Sequence, residues 1–332
     1  MQEYLRQETE SLIRSWSCYD RNTLAEYLVQ DVEDPRINIQ SILTRHFLIR
    51  KLFGQSLDFL MDQELRFALV VNWAMSLLKQ GIQPRGLHSL LHALIEGQNE
   101  DEGIPIPKYV TETFAALSLP NYICDLLTWE LLETTEVPIP DRVLSTFQKI
   151  WSQGMEKESA SQISVLEAAC GSANDYRFID SFGIARFIDY TGFDLCQMNI
   201  DNARAMFPNA DFRIGNALEI DAPDNSFDFC IVHDLFEHLS LKAMEVALAE
   251  VCRVTRKALC IGFFNMYDSP EHVEQYVRHY HWNKLSLHRI KESLTPYAPN
   301  IEVIHIDSFL NSTFNCPDTH NKNAHTLIAT IQ

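Results

Sequence analysis

The chain has 332 residues, of which 46% are hydrophobic and 22% are charged, a globular composition that argues against an intrinsically disordered protein. It carries 27 Lys and Arg against 45 Asp and Glu, which gives a formal net charge of −18. Because nucleic-acid binders need a cationic face, this charge argues against DNA or RNA as the main partner. No apolar run reaches the roughly 18–20 residues of a membrane helix, and the N-terminus lacks the pattern of a secretory signal. We therefore expect a cytoplasmic protein of two domains that binds neither nucleic acid nor membrane.

The first half of the chain is predicted to be helical. Apolar residues recur there at three- and four-residue spacing, and prolines separate the segments. The predicted helices cover residues 37–53, 57–80, 86–97, 107–119, 122–133 and 141–153. Residues 1–153 are thus expected to form a separate all-α domain, which covers the active site, supplies substrate contacts or forms a homodimer.

One helical face in this region carries His88, His92 and Glu96 at four-residue spacing. A metal site in a helical bundle would draw on several helices, and the paired Glu-x-x-His pattern of such bundles is absent. We expect a polar helix surface here and no metal. The eight cysteines form no Cys-x-x-Cys pair, which is typical of reduced thiols in the cytoplasm.

Beyond a small and polar stretch at residues 154–162, short β-type runs alternate with helical segments. These runs cover residues 163–168, 185–194, 210–215, 227–232, 258–264, 301–307 and 325–331. The alternation predicts βαβ units and a mostly parallel sheet over residues 160–332. The last two runs follow each other without a predicted helix, so we expect them to pair antiparallel at the sheet edge.

The segment VLEAACGSAND (165–175) carries the first chemical signal. A buried strand ends in Glu167, and the small residues Ala169, Gly171 and Ala173 then alternate before the next helix. Small residues let a ligand approach the backbone closely. Asp194 ends the second strand, where a carboxylate can accept hydrogen bonds from the two hydroxyls of a ribose.

Residues 163–264 resemble a class I S-adenosylmethionine-dependent methyltransferase domain of the small-molecule type, with a Rossmann-like seven-stranded sheet. The acidic residue and glycine-rich loop of that family correspond to Glu167 and residues 169–173, where only the middle glycine, Gly171, is kept. The acid after the second strand corresponds to Asp194. The acid after the third strand is replaced by an amide, Asn216, in GNALEI.

The resemblance implies a cofactor site for S-adenosylmethionine. Glu167, Ala169 and Gly171 would hold the amino-acid end, Asp194 with Leu195 the ribose, and Asn216 with Ala217 the adenine. The stretch PDNSFDFCIVHDLFEHL (223–239) is similar to the family's fourth strand and the segment after it. By this analogy His233 and Asp234 lie nearest the sulfonium.

A methyl acceptor that must lose a proton needs a general base, and histidine suits this role at pH 7. His233, His238 and His279 are the candidate catalytic residues, with His281 a further candidate. His238 could instead be a structural hydrogen-bonding residue. His233 follows the fourth strand at the edge where ligands bind, so it either contacts the cofactor or substrate or is a structural residue, and both interpretations stay open.

The segment 265–292 is rich in aromatic residues, histidine, lysine and arginine, and it is less acidic than the chain as a whole. It follows the fifth strand, where loops of this architecture contact substrate. It would receive an acceptor with an anionic or aromatic group, or it is a solvated helix whose aromatic face packs on the sheet.

The favoured function is S-adenosylmethionine-dependent methylation of a small molecule on oxygen or nitrogen. Two alternatives remain open at this point. The chain could bind the cofactor as a scaffold or regulatory subunit without turnover, or it could methylate a protein side chain.

Overall fold

The structure is a computed structural model that describes residues 3–17, 34–98, 100–101, 103–117, 141–156, 158–277, 280–317 and 319–332. The predicted helix at 122–133 lies outside these residues, as do His279 and its neighbour Arg278.

The described residues of the N-terminal region are mainly helical, as predicted, and they include one short hairpin. Its helices are α1 (Glu3–Ser17), α2 (Ile39–Phe53), α3 (Asp58–Lys79), α4 (Pro84–Ile95), α5 (Lys108–Ala115) and α6 (Asp141–Gly154). Strands β1 (Glu100–Asp101) and β2 (Ile104–Pro105) pair antiparallel between α4 and α5. The side chain of Asn38 accepts the N–H of Ser41 and so caps the start of α2, which ends at Gly54 with a φ of 64°.

The C-terminal region is built on a seven-stranded sheet. Its strands are β3 (Ile163–Ala168), β4 (Ile188–Asp194), β5 (Asp211–Ile214), β6 (Phe227–His233), β7 (Thr255–Phe263), β12 (Asn300–His305) and β13 (His325–Thr330). Their spatial order is β12-β13-β7-β6-β3-β4-β5. Strands β3 to β7 are parallel, whereas β13 runs antiparallel to β7 and to β12. The predicted fold class and the predicted antiparallel pair are confirmed.

Helices connect these strands on both faces of the sheet. They are α7 (Asn174–Ser181), α8 (Gln197–Met206), α9 (Leu241–Val254), α10 (Leu287–Leu294) and α11 (Ile306–Phe314). After β7 the chain forms two further two-stranded pairs, β8 (Met266–Tyr267) with β11 (Leu285–Ser286) and β9 (Tyr276–Val277) with β10 (Tyr280–His281).

The expectation that no helix separates the last two strands is wrong, because α11 lies between β12 and β13. Ile306, Leu310 and Phe314 recur at four-residue spacing, which places them on one face of this helix. All three are buried in a cluster with the N-terminal helices. The β-type run before them therefore ends at His305. After that residue, the side chains that face the core recur at every fourth position.

The N-terminal helices share hydrophobic cores with the sheet. Phe47 and Leu48 of α2 lie in one buried cluster with Val165 of β3 and Ile231 of β6. The ring of Phe47 meets that of Phe229 edge to face, with the ring centroids 5.6 Å apart. Helix α2 is thus held on the sheet by apolar burial, the largest favourable term in folding.

A buried charge cluster joins α2 and α3 beside this interface. The Glu64 carboxylate, which is fully buried, accepts hydrogen bonds from Nε and Nη2 of Arg45, at 3.1 and 2.6 Å, and pairs with Nε2 of His46 at 2.7 Å. Burial alone would raise the pKa of Glu64, but the charges of Arg45 and His46 lower it below its usual value. The Arg45 guanidinium also lies over the ring of Phe182, 4.2 Å from its centroid, at the end of α7.

Replacing Glu64 by alanine should therefore destabilise the whole protein. The change leaves the buried Arg45 guanidinium without its carboxylate, and removing one partner of a buried ion pair costs about 3–5 kcal/mol. Urea unfolding followed by circular dichroism measures the loss. Glu112→Ala is the control, because Glu112 pairs with Lys108 at the exposed surface of α5. An equal effect of the two variants would contradict the role given to the buried cluster.

Candidate active site

The loop between β3 and α7 has an unusual backbone. Ala169, Gly171 and Ala173 have φ angles of 61°, 54° and 63°, so all three lie in the left-handed region. This conformation costs a residue with a side chain about 1–2 kcal/mol, and glycine adopts it freely. The two alanines thus keep the backbone that the alternating small residues predict. The loop presents little side-chain bulk at the carboxyl end of β3.

Asp194, at the end of β4, is bonded to this loop. Its Oδ2 accepts the N–H of Gly171 at 3.0 Å, and its Oδ1 accepts the N–H of Cys196 at 2.8 Å and the amide of Asn199 at 3.2 Å. Burial nevertheless raises the pKa of Asp194 above its usual value. A carboxylate has about four acceptor positions, so one remains beyond the three described donors. Leu195, the next residue, is partly exposed.

Glu167 lies beneath the loop and is 3% exposed. Its Oε2 accepts the hydroxyl of Tyr190 at 2.5 Å. Burial, together with the charge of Asp175, raises the pKa of Glu167 to about 8. Gly192 makes room for this contact, since a Cβ there would lie 2.6 Å from the Tyr190 hydroxyl oxygen. Nothing in the sequence pattern indicated Tyr190 or Gly192.

His233, at the end of β6, uses both ring nitrogens in contacts with the protein. Its Nδ1 lies 2.5 Å from Oδ2 of Asp175, in the first turn of α7, and its Nε2 lies 2.8 Å from the hydroxyl of Thr44 in α2. The Thr44 hydroxyl donates to the carbonyl of Gln40, so it accepts the hydrogen on Nε2. Burial alone would lower the pKa of His233, but Asp175 raises it well above the usual value. His233, whose side chain is 12% exposed, thus links α2 to the start of α7, directly after the loop at 169–173.

Gly262, on β7, packs directly against the His233 ring. A Cβ at position 262 would lie 2.4 Å from Cδ2 of His233 and 2.8 Å from Nε2 of Gln40. Gln40 in turn donates to the carbonyls of Phe263 and His325, at 3.2 and 2.8 Å. The helical region and three strands of the sheet therefore meet around the His233 ring.

Asn216 lies in the loop after β5, under helix α1. Its Nδ2 donates to the hydroxyl of Thr9 at 3.1 Å, and its Oδ1 accepts the N–H of Leu218 at 2.9 Å. Ala217 is partly exposed beside it. Helix α1 is also tied to the start of α9, where Glu8 accepts the N–H of Ser240 at 3.0 Å. Helix α1 thus crosses the carboxyl edge of the sheet.

His238 lies in the 3-10 turn Phe236–His238, after β6. Its Nε2 is 3.0 Å from Oδ1 of Asp234, and its Nδ1 is 3.0 Å from the carbonyl of His281. Burial alone would lower the pKa of His238, but the charges of Asp234 and Glu237 raise it to about 9. The structure thus brings His233 and His238 to the same sheet edge, with different partners.

Sequence reasoning missed the residues that engage the predicted ones. Asp175 stands in the segment that carried the glycine signal, yet its pairing with His233 depends on the β3–β6 adjacency. Thr44 and Gln40 come from a helix about 190 residues away in sequence, where no local pattern marks them. A buried histidine at a strand end, which needs partners for both nitrogens, was the available signal.

None of the described helices is both long and apolar enough to cross a membrane. The described residues also hold no group of three or more His, Cys, Asp or Glu side chains arranged for a metal ion. The rings of His88 and His92 lie 4.7 Å apart on α4, and the two side chains are at least partly exposed.

Substituting Gly262 by alanine should disturb the His233 site. The added methyl group would collide with a ring held at both nitrogens, and overpacking of this kind costs typically about 1–3 kcal/mol. Urea unfolding measures the cost. Gly86→Ala in α4 is the matched control, since its nearest contact is an ordinary 3.4 Å and alanine favours a helix. Equal stability of wild type and the Gly262→Ala variant would contradict the packing described.

Asp175→Asn should destabilise the protein most between about pH 4 and 6.5. The raised pKa of His233 and the lowered pKa of Asp175 mean that this pair stabilises the wild-type fold fully only within that window. That contribution is lost as the pH rises through the raised pKa of folded His233. The difference in unfolding free energy between wild type and variant should therefore be largest near pH 6 and shrink toward alkaline pH. A difference independent of pH between about 6 and 10 would contradict the buried ion pair.

A family model matches part of the chain. The profile of a family described as "Methyltransferase domain" matches residues 165–258, from the middle of β3 to the start of β7. A search of curated protein sequences finds no match to this chain.

Several solved structures are similar to part of the chain. A protein from Pyrococcus horikoshii has 14% identity and a TM-score of 0.40, with 58% of this chain and 92% of that chain covered. A SAM-dependent methyltransferase from Methanosarcina mazei has 14% identity and a TM-score of 0.40, with 52% and 94% covered. The 1,6-didemethyltoxoflavin-N1-methyltransferase of Burkholderia thailandensis has 12% identity and a TM-score of 0.40, with 56% and 76% covered.

The matched residues contain the left-handed loop, the Asp194 carboxylate bonded to it, the complete strands β4, β5 and β6, and parts of β3 and β7. Residues 165–258 are thus assigned to the methyltransferase-domain family.

Proposed function

We propose that the chain transfers the methyl group of S-adenosylmethionine to a small-molecule acceptor, on oxygen or nitrogen. The observation that carries this proposal is the hydrogen bond between the Gly171 N–H and the Asp194 carboxylate. It places a loop of small residues and a carboxylate side by side at the ends of adjacent parallel strands, which is where open α/β sheets bind nucleosides.

The residues present fit the cofactor. The left-handed backbone at positions 169, 171 and 173 leaves space for close approach, and Asp194 keeps an acceptor position for a ribose hydroxyl. Glu167 is a buried carboxyl near the amino-acid end, where a cationic ammonium group would favour its ionised form. Asn216 retains one amide hydrogen and one lone pair for adenine, next to Ala217.

Bound S-adenosylmethionine supplies an activated methyl group on a sulfonium, so the chain has chiefly to align the reactants and exclude water. Helix α1 supports the second task, because it crosses the sheet edge and is bonded to the loops after β5 and β6. His233 supports the first task, since its buried contacts fix the start of α7 relative to the end of β6. We assign it a positioning role.

The elements next to this edge support a small acceptor. Glu8 of helix α1 bonds to Ser240, and the carbonyl of His281 in β10 contacts His238. A confined site of this kind suits a metabolite better than a protein side chain. The division into a helical domain (1–153) and a catalytic domain (160–332), with a homodimer through the helical part, belongs to the same proposal.

Replacing Asp194 by alanine should weaken the binding of S-adenosylmethionine. Loss of hydrogen bonds to a charged group costs about 1.5–3 kcal/mol, which is roughly 10- to 150-fold in Kd. Isothermal titration calorimetry with the cofactor and with S-adenosylhomocysteine measures the change. Asp194→Asn, which keeps one oxygen to hold the loop, shows whether the loss arises from the carboxylate or from loop collapse.

Asp201→Asn is the matched control, because Asp201 is an exposed aspartate on α8 whose described partner is Gln197. The control should bind like the wild type. A wild-type protein that binds neither compound, or an Asp194→Ala variant that binds both unchanged, would refute the proposed cofactor site. Release of labelled methyl groups into the small-molecule fraction of a cell extract then separates an enzyme for metabolites from a protein methyltransferase or a scaffold.

A further inference from the structure

A tyrosine hydroxyl on β4 reaches the buried acid at the end of β3. Parallel pairing places Glu167 opposite Gly192, and Tyr190 lies two residues before Gly192, on the same face of the sheet. The hydroxyl of Tyr190 donates to Oε2 of Glu167 at 2.5 Å. This contact requires glycine at position 192, since a Cβ there would lie 2.6 Å from the hydroxyl oxygen. The two strands therefore make space for one hydroxyl beside the acid.

Other aromatic rings hold the ring of Tyr190 in place. Its centroid lies 4.4 Å from that of Tyr176, in α7, and 5.5 Å from that of Phe212, in β5. The ring of Tyr176 in turn meets those of Phe207 and Phe212 edge to face. Tyr190 is only 6% exposed. Ring packing therefore fixes the position from which the hydroxyl donates to the acid.

The carboxyl group of Glu167 has few partners for its depth in the protein. Among the described residues, the Tyr190 hydroxyl is its one hydrogen-bond donor, and this contact is made to Oε2. A carboxylate has about four acceptor positions, and an ionised one is costly to bury without further donors or a cation. Burial accordingly raises the pKa of Glu167 to about 8, with the charge of Asp175 adding to the effect. Oε1 is thus the oxygen left for a ligand.

The charges around Glu167 do not include a cation of its own. The other titratable groups that face it are Asp175 in α7, Tyr190 and Asp194 in β4, His233 and Cys230 in β6, and Cys170 in the loop. Burial raises the pKa of both thiols, so they are uncharged. His233 is paired with Asp175, whose Oδ2 lies 2.5 Å from Nδ1 of the ring. An ionised Glu167 would therefore add a negative charge that no neighbour compensates.

We propose that Tyr190 is a positioning residue of the cofactor site, which holds Glu167 so that Oε1 receives the ammonium group of the cofactor, and that binding releases the Glu167 proton. This inference rests on the proposed cofactor site and adds a residue and a proton balance to it. On binding, the O–H bond of Glu167 breaks, its electron pair stays on the carboxylate and the proton leaves to solvent. The ammonium group supplies the missing positive charge, and the hydrogen bond from Tyr190 becomes charge-assisted.

Isothermal titration calorimetry of the full chain with two related compounds tests the role of Tyr190. S-adenosylhomocysteine carries the ammonium group, whereas 5′-methylthioadenosine has the same nucleoside and a thioether without the amino-acid end. Tyr190→Phe should bind S-adenosylhomocysteine about 5- to 10-fold more weakly than the wild type, because a hydrogen bond to a charged group is stronger than one to a neutral group. Its affinity for 5′-methylthioadenosine should equal that of the wild type.

Tyr176→Phe is the matched control, because it removes a hydroxyl from the ring that packs on Tyr190 and leaves the hydrogen bond to Glu167 in place. This variant should bind both compounds like the wild type. If Tyr190→Phe weakens the binding of both compounds equally, Tyr190 has a structural role only and the proposal is overturned. Unchanged binding of S-adenosylhomocysteine by Tyr190→Phe would overturn it as well.

Proton release is measured from the binding enthalpies of the wild type in two buffers of different ionisation enthalpy. At about pH 6.5, below the raised pKa of Glu167, roughly one proton should leave for each S-adenosylhomocysteine bound. 5′-Methylthioadenosine should release none, whereas a proton lost from a group near the ribose would appear with both compounds. A wild type that binds S-adenosylhomocysteine without this release overturns the proposal and leaves the proposed function intact. A wild type that binds neither compound refutes both.

Discussion

An imidazole packed between strands and helices needs a partner for each ring nitrogen, and this requirement organises the site around His233. The ring lies among β6, β7, α2 and α7, where Nδ1 faces Asp175 and Nε2 faces the hydroxyl of Thr44. Loss of either contact would leave a polar group unpaired in a region of low dielectric. The pair therefore fixes the start of α7, and with it the loop of small residues on which cofactor binding depends.

The same constraint explains why the helical region is attached so closely to the sheet. Thr44 and Gln40 bind groups at the carboxyl edge, Phe47 packs on Phe229, and Arg45 reaches the end of α7. Helix α1 is tied to the loops after β5 and β6. The helices thus contribute polar partners as well as apolar area, and the site is incomplete without them.

The sequence predicted the parts of the fold that depend on local patterns. Strand β3 was predicted at its observed limits, because a continuous apolar run flanked by small residues has few other solutions. Helix α11 was missed because its buried face, Ile306, Leu310 and Phe314, follows directly on a β-type run. At the candidate site, Gly171 and Asp194 are joined by a hydrogen bond, and their role in cofactor binding stays a prediction. Thr44 could not be found from the sequence, since its role depends on a contact across 189 residues.

Hydrogen–deuterium exchange of the full chain, with and without S-adenosylhomocysteine, tests most directly that the cofactor binds at this edge and that α2 is coupled to it. The account predicts slower exchange on binding in peptides from the loop at 169–173 and from the end of β4, with a smaller protection in α2 through His233. Protection confined to other parts of the chain, or none at a saturating concentration, would contradict it.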